Sequence, residues 1–506
     1  MFFAIPYHSS CLSTGRDRAD GAVDSVFVRL YLVAREFPTI ATTKEGYTVA
    51  QIEFKDGQLN FESFDCVCGR HHELPIEQII AHPGALSTVS ETIDDLELGS
   101  EILLVTDENT FEAAGEAVLK QLRDSRRSVK MCLFPTRDKV KPDEKAIGHL
   151  LLSLDDETEL LVVVGSGCLT DTTRLTSYRT GIPFVSVATA ASMDGYASSG
   201  SPMTHGGYKQ TFYANNPRAV IADTEVLAAA PQEMTSAGFG DTIAKKMSRI
   251  DWKLSKIVRS EYYCPVLIDL IDEAVDRCTH LSADVGRSTE KAVNVLIESL
   301  LISGMAMLIV GNSRPGSGSE HSLSYYWEMK NAMYSRKEYL HGTQVGVATS
   351  LMALFAQRFF SRDPSPLTQD EVVRNMQSLA EIEASLRKDI GPVADRVISS
   401  VSRPNYLDPD ARFAEVSALN VRWREISELA TLIPSVSETI DLLGLSKGAA
   451  FPRDIAVDTN YLRETLINAK EIRGKYTLLR AAETLGWLEE ITEEVISDIT
   501  GLEKNR

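Results

Sequence analysis

Residues 160–171 read LLVVVGSGCLTD. Five apolar residues without alternation make a strand buried on both faces, the mark of a parallel sheet. Gly-Ser-Gly then breaks the strand, and a helix is expected to begin near Leu169. The same grammar extends to either side. EILLVT (101–106), VKMCLF (129–134), PFVSV (183–187) and AVIAD (219–223) read as further short strands. Residues 108–123, 143–153 and 169–179 carry helical spacing between them. Apolar strands alternating with helices predict a doubly wound, Rossmann-like α/β domain.

After Ala230 strand-like runs nearly vanish. Residues 232–258, 265–280, 287–310, 319–334, 343–360 and 369–388 read as helices, and more follow at 412–431, 435–443, 459–472 and 475–496. The expected organisation is an N-terminal extension of unknown role (1–60), an α/β domain (61–230) and an all-α domain (231–506). A cleft between two such domains is a common place for a ligand.

Composition narrows the partners. The 506 residues are 43% hydrophobic and 24% charged, with a net charge of −19. That balance suits a folded protein and opposes nucleic acid or anionic membrane as the main partner. Seven scattered cysteines do not make a disulfide framework, so a reducing, cytoplasmic setting is expected. The start is a poor signal peptide. The longest apolar run, 295–310, contains Glu298 and is shorter than the roughly 20 residues of a membrane span, so it is read as a buried helix.

Four segments bear on chemistry. Gly165, Ser166, Gly167, Cys168 and Leu169 join a strand to a helix N-terminus, where backbone N–H groups can meet a pyrophosphate. The alternative is a plain tight turn. The third glycine of the usual dinucleotide fingerprint is absent, and no acid ends a strand about 20 residues later. Asp107, at an earlier strand end, is instead placed to hold a ribose hydroxyl. VSVATAASMDGYASSGSPM (185–203) is dense in small hydroxyl residues and carries Asp194. It is either a ligand-facing loop or a flexible one. Cys66, Cys68, His71 and His72 could suggest zinc, but CxC is tight and no second Cys/His pair follows nearby. A structural role is the alternative. Finally, Asp241, His321 and His341 each open onto a glycine-rich helix entry. One Asp and two His form a usual set for a divalent ion with an open position. A capping Asp and two core His are the alternative.

Together, GSGCLTD (165–171), TAASMDGYAS (189–198), NNPRAVIADTEVL (215–227), AGFGDTIAK (237–245), SGSEHSLSYYWEM (317–329) and LHGTQVGV (340–347) resemble the sn-glycerol-1-phosphate dehydrogenases. The likeness is to their bacterial arabinose-operon-type branch, within the iron/zinc-dependent alcohol dehydrogenase and dehydroquinate synthase-like superfamily. It runs from about residue 62 to 360 and recurs weakly at 459–490.

The resemblance implies an NAD(P)-binding α/β domain and a helical domain that binds metal and substrate. It implies reversible reduction of dihydroxyacetone phosphate to sn-glycerol 1-phosphate. Asp107, Gly165 to Leu169, Thr189, Ser192 and Ser198 would contact the nucleotide. Asp194 would contact the substrate, and Lys209 its phosphate. Asp241, His321 and His341 would hold one divalent ion, zinc, nickel or iron. The family usually places a second His four residues after the first metal His. Here that residue is Tyr325, on the same helix face, which puts the substrate or the proton route in question. An acid at Asp107 repels a 2′-phosphate and tilts the expectation to NAD over NADP. A homo-oligomer is expected, with no nucleic-acid partner. The competing readings are a glycerol or other polyol dehydrogenase and a non-catalytic nucleotide-binding scaffold.

Overall fold

The computed structural model describes residues 52–374, 376–400 and 408–505. Most of the expected 1–60 extension lies outside them. The twelve strands run in chain order as follows: β1 Ile52–Lys55, β2 Gln58–Phe61, β3 Phe64–Asp65, β4 His71–His72, β5 Gln78–His82, β6 Glu101–Asp107, β7 Ser128–Phe134, β8 Leu160–Gly165, β9 Phe184–Ala188, β10 Gly200–His205, β11 Tyr208–Tyr213 and β12 Ala219–Asp223.

Eight of them form one sheet in the order β1-β2-β5-β12-β9-β8-β6-β7. From β5 to β7 every pairing is parallel, and β1 and β2 close one edge as an antiparallel hairpin. Among the described residues the sheet therefore begins before residue 61, with β1 at Ile52.

The unbroken apolar strands follow from burial on both faces. Ile102, Leu104, Val162 and Val164 share a core with Val118 and Leu122. Their neighbours Leu103, Val105, Leu161 and Val163 face Ala146 and Leu150 instead. The first set meets helices α1 (Val89–Asp95) and α2 (Glu116–Asp124), and the second meets α3 (Glu144–Ser153) and α4 (Gly167–Thr180).

Chain order makes the ligand crevice. From β6 the chain steps outward to β7, then returns across β6 to β8. The direction of winding reverses between β6 and β8, and in open α/β sheets such a switch leaves a crevice beyond the strand C-termini. Asp107 ends β6 and Gly165 ends β8, so both stand at its rim.

The helical part contains α5 (Gln232–Ile243), α6 (Lys245–Arg259), α7 (Pro265–Thr279), α8 (Glu290–Val310), α9 (Ser319–Met333) and α10 (His341–Phe360), with shorter helices to residue 504. Helix α8 is long and apolar enough to cross a membrane by length and composition. Leu296, Leu300, Leu301 and Met305 on it are instead buried in the main core.

One segment departs from the sequence reading. The stretch ending at Met203 was expected as a loop, yet residues 200–213 form the β10–β11 hairpin. Its turn is Gly206–Gly207, with φ of 55° and 79°. Two successive positive φ angles are what a tight two-residue hairpin turn requires, and glycine accepts them without strain. The strands themselves lack an apolar run, so no periodicity announces them.

Candidate active site

Helices α5 and α10 touch backbone to backbone because their glycines leave room. A Cβ on Gly240 would lie 2.3 Å from the Gly342 carbonyl oxygen, and a Cβ on Gly342 would lie 1.9 Å from that of Ala237. Gly238 meets the Ala191 carbonyl in the same way. These close approaches bring Asp241, near the end of α5, to His341, the first residue of α10. His321, in the first turn of α9, completes the group.

One ligand atom from each of Asp241, His321 and His341 lies within 4.8 Å of the others. His321 Nε2 stands 3.6 Å from Asp241 Oδ1. That is too long for a hydrogen bond, but it suits two ligands of one ion, whose bonds of about 2.0–2.2 Å at a tetrahedral angle separate them by roughly 3.4 Å. The two imidazole centroids are 5.2 Å apart.

The groups behind these three support the same use. Glu320 Oε1 is 2.8 Å from His321 Nδ1, and Glu328 Oε1 is 2.7 Å from His341 Nδ1. A carboxylate on Nδ1 fixes the ring and leaves Nε2 with its lone pair facing the cavity, the usual support for a metal-bound histidine. Burial lowers the His341 pKa from its ordinary value, more than the nearby Glu328 charge raises it. The neutral form, which a metal needs, is favoured. The donor set thus fits a divalent ion with an open position.

Lys245 lies one turn beyond Asp241 and is almost wholly buried. Its Nζ is 2.6 Å from Asp241 Oδ1 and 2.7 Å from Asp194 Oδ2. Asp194 also accepts from Ser303 Oγ at 2.9 Å, and its backbone N–H donates to Asp241 Oδ2 at 3.1 Å. Burial alone would push the Asp241 carboxyl up, but the Lys245 ammonium and the two imidazoles hold it well below the usual carboxylate range.

Lys209 reaches the site from β11. It is ion-paired with Glu328 and stands 4.9 Å over the Tyr325 ring. Burial opposes its charge, yet Glu328 keeps its pKa above the ordinary lysine value. The Arg473 guanidinium lies 4.8 Å from the same ring. It donates to Ser317 Oγ at 2.6 Å and Ser313 Oγ at 2.9 Å. Lys475 donates to the Ser313 and Ser317 carbonyls beside it, and burial with the neighbouring Arg473 charge lowers its pKa well below normal.

At the sheet end, Gly165 sits against Leu169, whose side chain is buried in the sheet core. Only backbone groups of Leu169 are therefore available to a ligand. Cys168 is half-buried, and burial raises its thiol pKa. Ser166 occupies the N-cap position of α4 without a side-chain capping bond, and Gly167 opens the helix, facing Met193. Thr189 N–H donates to the Gly165 carbonyl at 3.2 Å, tying the ends of β9 and β8. Asp107 Oδ1 accepts from Thr110 N–H at 2.8 Å and caps the following turn. The Ser198 hydroxyl turns inward to the Gly195 carbonyl at 3.1 Å, and Ser192 lies beside the Tyr196 hydroxyl. The loop that carries them is pinned by the buried Arg174, which donates to the carbonyls of Gly195, Tyr196 and Gly200.

Sequence reading alone missed Lys245, Glu320, Glu328, Arg174 and Arg473. The first three had a signal. Lys245 follows Asp241 by four residues on a helical pattern, Glu320 adjoins His321, and Glu328 lies two turns beyond His321 on the same face. Arg473 reaches its partners through the tertiary fold alone, whereas Arg174 pairs locally with Asp171 and meets the loop carbonyls only through the fold.

Residues 80–231 match the family model of the iron-containing alcohol dehydrogenases. The NAD(P)+ glycerol-1-phosphate dehydrogenase of Geobacillus thermodenitrificans is 37% identical over 417 residues, which is 82% of this chain and 94% of that relative. The chain belongs to the glycerol-1-phosphate dehydrogenase family. A second member, from Geobacillus stearothermophilus, is 32% identical over 418 residues, 82% of this chain and 94% of that relative. Among solved structures, a 1,3-propanediol oxidoreductase superposes with a TM-score of 0.54 at 15% identity, covering 84% of this chain and 100% of its own. That likeness shows a shared fold, with an α/β N-terminal part and a helical C-terminal part.

Proposed function

We propose that this protein reversibly reduces dihydroxyacetone phosphate to sn-glycerol 1-phosphate with NADH or NADPH, using one divalent ion held by Asp241, His321 and His341. The observation that carries the reading is the pairing of that donor set with Lys209 and Arg473 beside a single ring, Tyr325. When bound, the ion would polarise the ketone oxygen and the nicotinamide would supply hydride.

The chain's own residues do the rest. Glu320 and Glu328 orient the two imidazoles. Lys245 offsets one of the two negative charges of Asp194 and Asp241, and the divalent ion would offset the other, so that an anionic substrate would meet a group that is not net negative. Asp194, held by Lys245 and Ser303, is placed to accept from a substrate hydroxyl. Arg473, bonded only to hydroxyls in the contacts above, is the freer of the two cations for a phosphate. Lys209 is already neutralised by Glu328 and serves as its partner. The Gly165–Gly167 turn and the α4 N-terminus would receive the pyrophosphate, with Asp107 at the adenosine ribose. Thr189, Ser192 and Ser198 lie along the same rim. The unpaired cysteines of the described residues suit a reducing cytoplasm.

The test is NADH oxidation by purified protein with dihydroxyacetone phosphate, dihydroxyacetone and small aldehydes, with and without Zn²⁺ or Ni²⁺. The expected result is metal-dependent turnover of the phosphate ester, with sn-glycerol 1-phosphate as the product by chiral analysis. Turnover of dihydroxyacetone with no preference for the ester would identify a polyol dehydrogenase instead.

A further inference from the structure

Cys66, Cys68 and His72 gain a fourth neighbour that no local spacing reveals. Cys264, 198 residues after Cys66, brings its sulfur to 3.6 Å from Cys66 Sγ and 3.4 Å from His72 Nε2. Cys68 Sγ is 3.3 Å from the same nitrogen, and all four atoms lie within 4.8 Å of one another. These are the edges of a small tetrahedron. Metal–sulfur bonds of about 2.3 Å and metal–nitrogen bonds of about 2.0–2.1 Å would set sulfur–sulfur edges near 3.8 Å and sulfur–nitrogen edges near 3.5 Å. A disulfide would need about 2.05 Å.

Burial raises the Cys66 and Cys264 thiols above their ordinary pKa in the metal-free chain, whereas hydrogen bonds outweigh burial at Cys68. An ion would therefore have to displace protons that the donors around the sulfurs only partly offset. The β3–β4 hairpin pairs Phe64 with His72, and its turn is closed by Gly69 N–H to the Cys66 carbonyl at 2.9 Å, with Gly69 at φ 84°. That turn places both hairpin thiols and the imidazole on one side. Backbone amides of Cys68, Arg70 and Leu267 face the sulfurs of Cys66, Cys68 and Cys264 respectively. Tyr262 Oη is 3.1 Å from Cys68 Sγ. Cys264 is the N-cap of α7, a 15-residue helix led by Pro265, so its sulfur sits at the positive end of the helix dipole. The Arg70 guanidinium stacks 3.5 Å over Tyr262 and offsets the single negative charge that three thiolates and one divalent ion would leave. Cys66, His72 and Cys264 are all buried.

We propose that Cys66, Cys68, His72 and Cys264 bind a second metal ion, Zn²⁺, in a closed Cys₃His site. All four positions are filled by protein, so the ion has no place for substrate. Its role is structural. It ties the β3–β4 hairpin, next to the antiparallel edge of the sheet, to the start of α7 in the helical part. It differs in chemistry from the Asp241 site, which offers no sulfur.

The experiment is metal analysis and zinc-edge X-ray absorption on the full chain, purified with Zn²⁺ under reducing conditions. The expected result is two zinc per chain and a sulfur shell at about 2.3 Å. His321→Ala should lose one equivalent and keep the sulfur shell. Cys264→Ser should lose the other equivalent and the shell with it. Should Cys264→Ser fail to fold, thiol titration of His321→Ala with a mercurial decides, since release of one equivalent of zinc is expected as the cysteines are consumed. A sulfur-free zinc spectrum would overturn the proposal. So would a metal-free protein whose mass is lower by two hydrogens, with Cys66 joined to Cys264.

Discussion

Glu328 Oε1 lies 2.7 Å from His341 Nδ1, and the same carboxylate is ion-paired with Lys209 on the β10–β11 hairpin. One acid therefore orients a candidate metal ligand and anchors the hairpin over the site. Burial would raise its pKa, but Lys209 and His341 hold it well below the carboxylate range. Glu328→Gln keeps the shape and removes the charge. Supporting carboxylates of this kind are worth about 10- to 100-fold in metal affinity. A competitive chelator titration should show a loss of that size for Zn²⁺ or Ni²⁺. Unchanged affinity would mean that His341 is oriented by other contacts.

Lys245 is wedged between Asp194 and Asp241. Lys245→Met leaves the buried Asp241 carboxylate and the half-buried Asp194 carboxylate near each other without a cation. Breaking such a buried pair costs about 3–5 kcal/mol, so the metal-free variant should melt well below the wild type. A divalent ion restores positive charge at Asp241 and no longer competes with the ammonium for Oδ1. Added Zn²⁺ should therefore raise the melting temperature more in the variant than in the wild type. Equal rises would show that Lys245 and the ion do not share Asp241.

Arg473 and Lys209 both approach the Tyr325 ring, but only Lys209 carries a carboxylate partner there. Arg473→Ala should raise KM for dihydroxyacetone phosphate by tenfold or more and leave KM for dihydroxyacetone nearly unchanged, as loss of a charge-assisted phosphate contact worth about 1.5–3 kcal/mol predicts. Lys209→Ala should act chiefly through metal affinity, because it frees Glu328. Steady-state kinetics at saturating metal separates the two. A larger phosphate-specific effect at Lys209 would reverse the assignment.

These residues show where sequence reading stops. Strands β6, β8, β9 and β12 announced themselves because both faces are buried and nearly every interior position is apolar. β5, with Gln78 and His82 at its ends, and the glycine-turned β10–β11 hairpin had no such run. Asp241, His321 and His341 stood out because glycine flanks them, and the structure gives Gly240 and Gly342 a purpose, which is to let α5 and α10 touch. Glu328 and Lys245 lie on the faces that helical spacing predicts, yet nothing local says what they meet. Cys264 is the extreme case, since its partners lie nearly 200 residues earlier.

Glu261 and Arg314 carry a pH dependence outside the Asp241, His321 and His341 group. Arg314 donates to both carboxylate oxygens of Glu261, at 2.8 and 2.6 Å, and to the Tyr476 carbonyl at 2.9 Å. The pair holds the 311–318 loop that leads into His321. Burial would raise the Glu261 pKa, but Arg314 brings it below the ordinary glutamate value. A depressed carboxylate stabilises the fold above its unfolded pKa, near 4.3, and that contribution is lost as pH falls through the folded value. In denaturant titrations at pH 7 and pH 4, the wild type should lose more stability than Glu261→Gln. The gap at pH 7 should be on the order of 2 kcal/mol and shrink toward pH 4. A gap that grows on acidification would contradict the sign.

Asp107 caps the turn after β6 through Oδ1, which leaves Oδ2 outside that cap at the end of β6, beside the β6–β8 switch point. A carboxylate at a strand end there accepts from a ribose diol and repels a 2′-phosphate. Serine can keep the cap, because its hydroxyl also accepts from the third N–H of the turn. Asp107→Ser should therefore hold the fold and change only the cofactor preference. The ratio of kcat/KM for NADPH to that for NADH should rise by at least tenfold, about 1.4 kcal/mol. Melting curves establish that the cap survives. A stable variant whose ratio does not move would place the adenosine ribose away from β6 and leave the Gly165–Gly167 turn as the nucleotide's anchor at this end of the sheet.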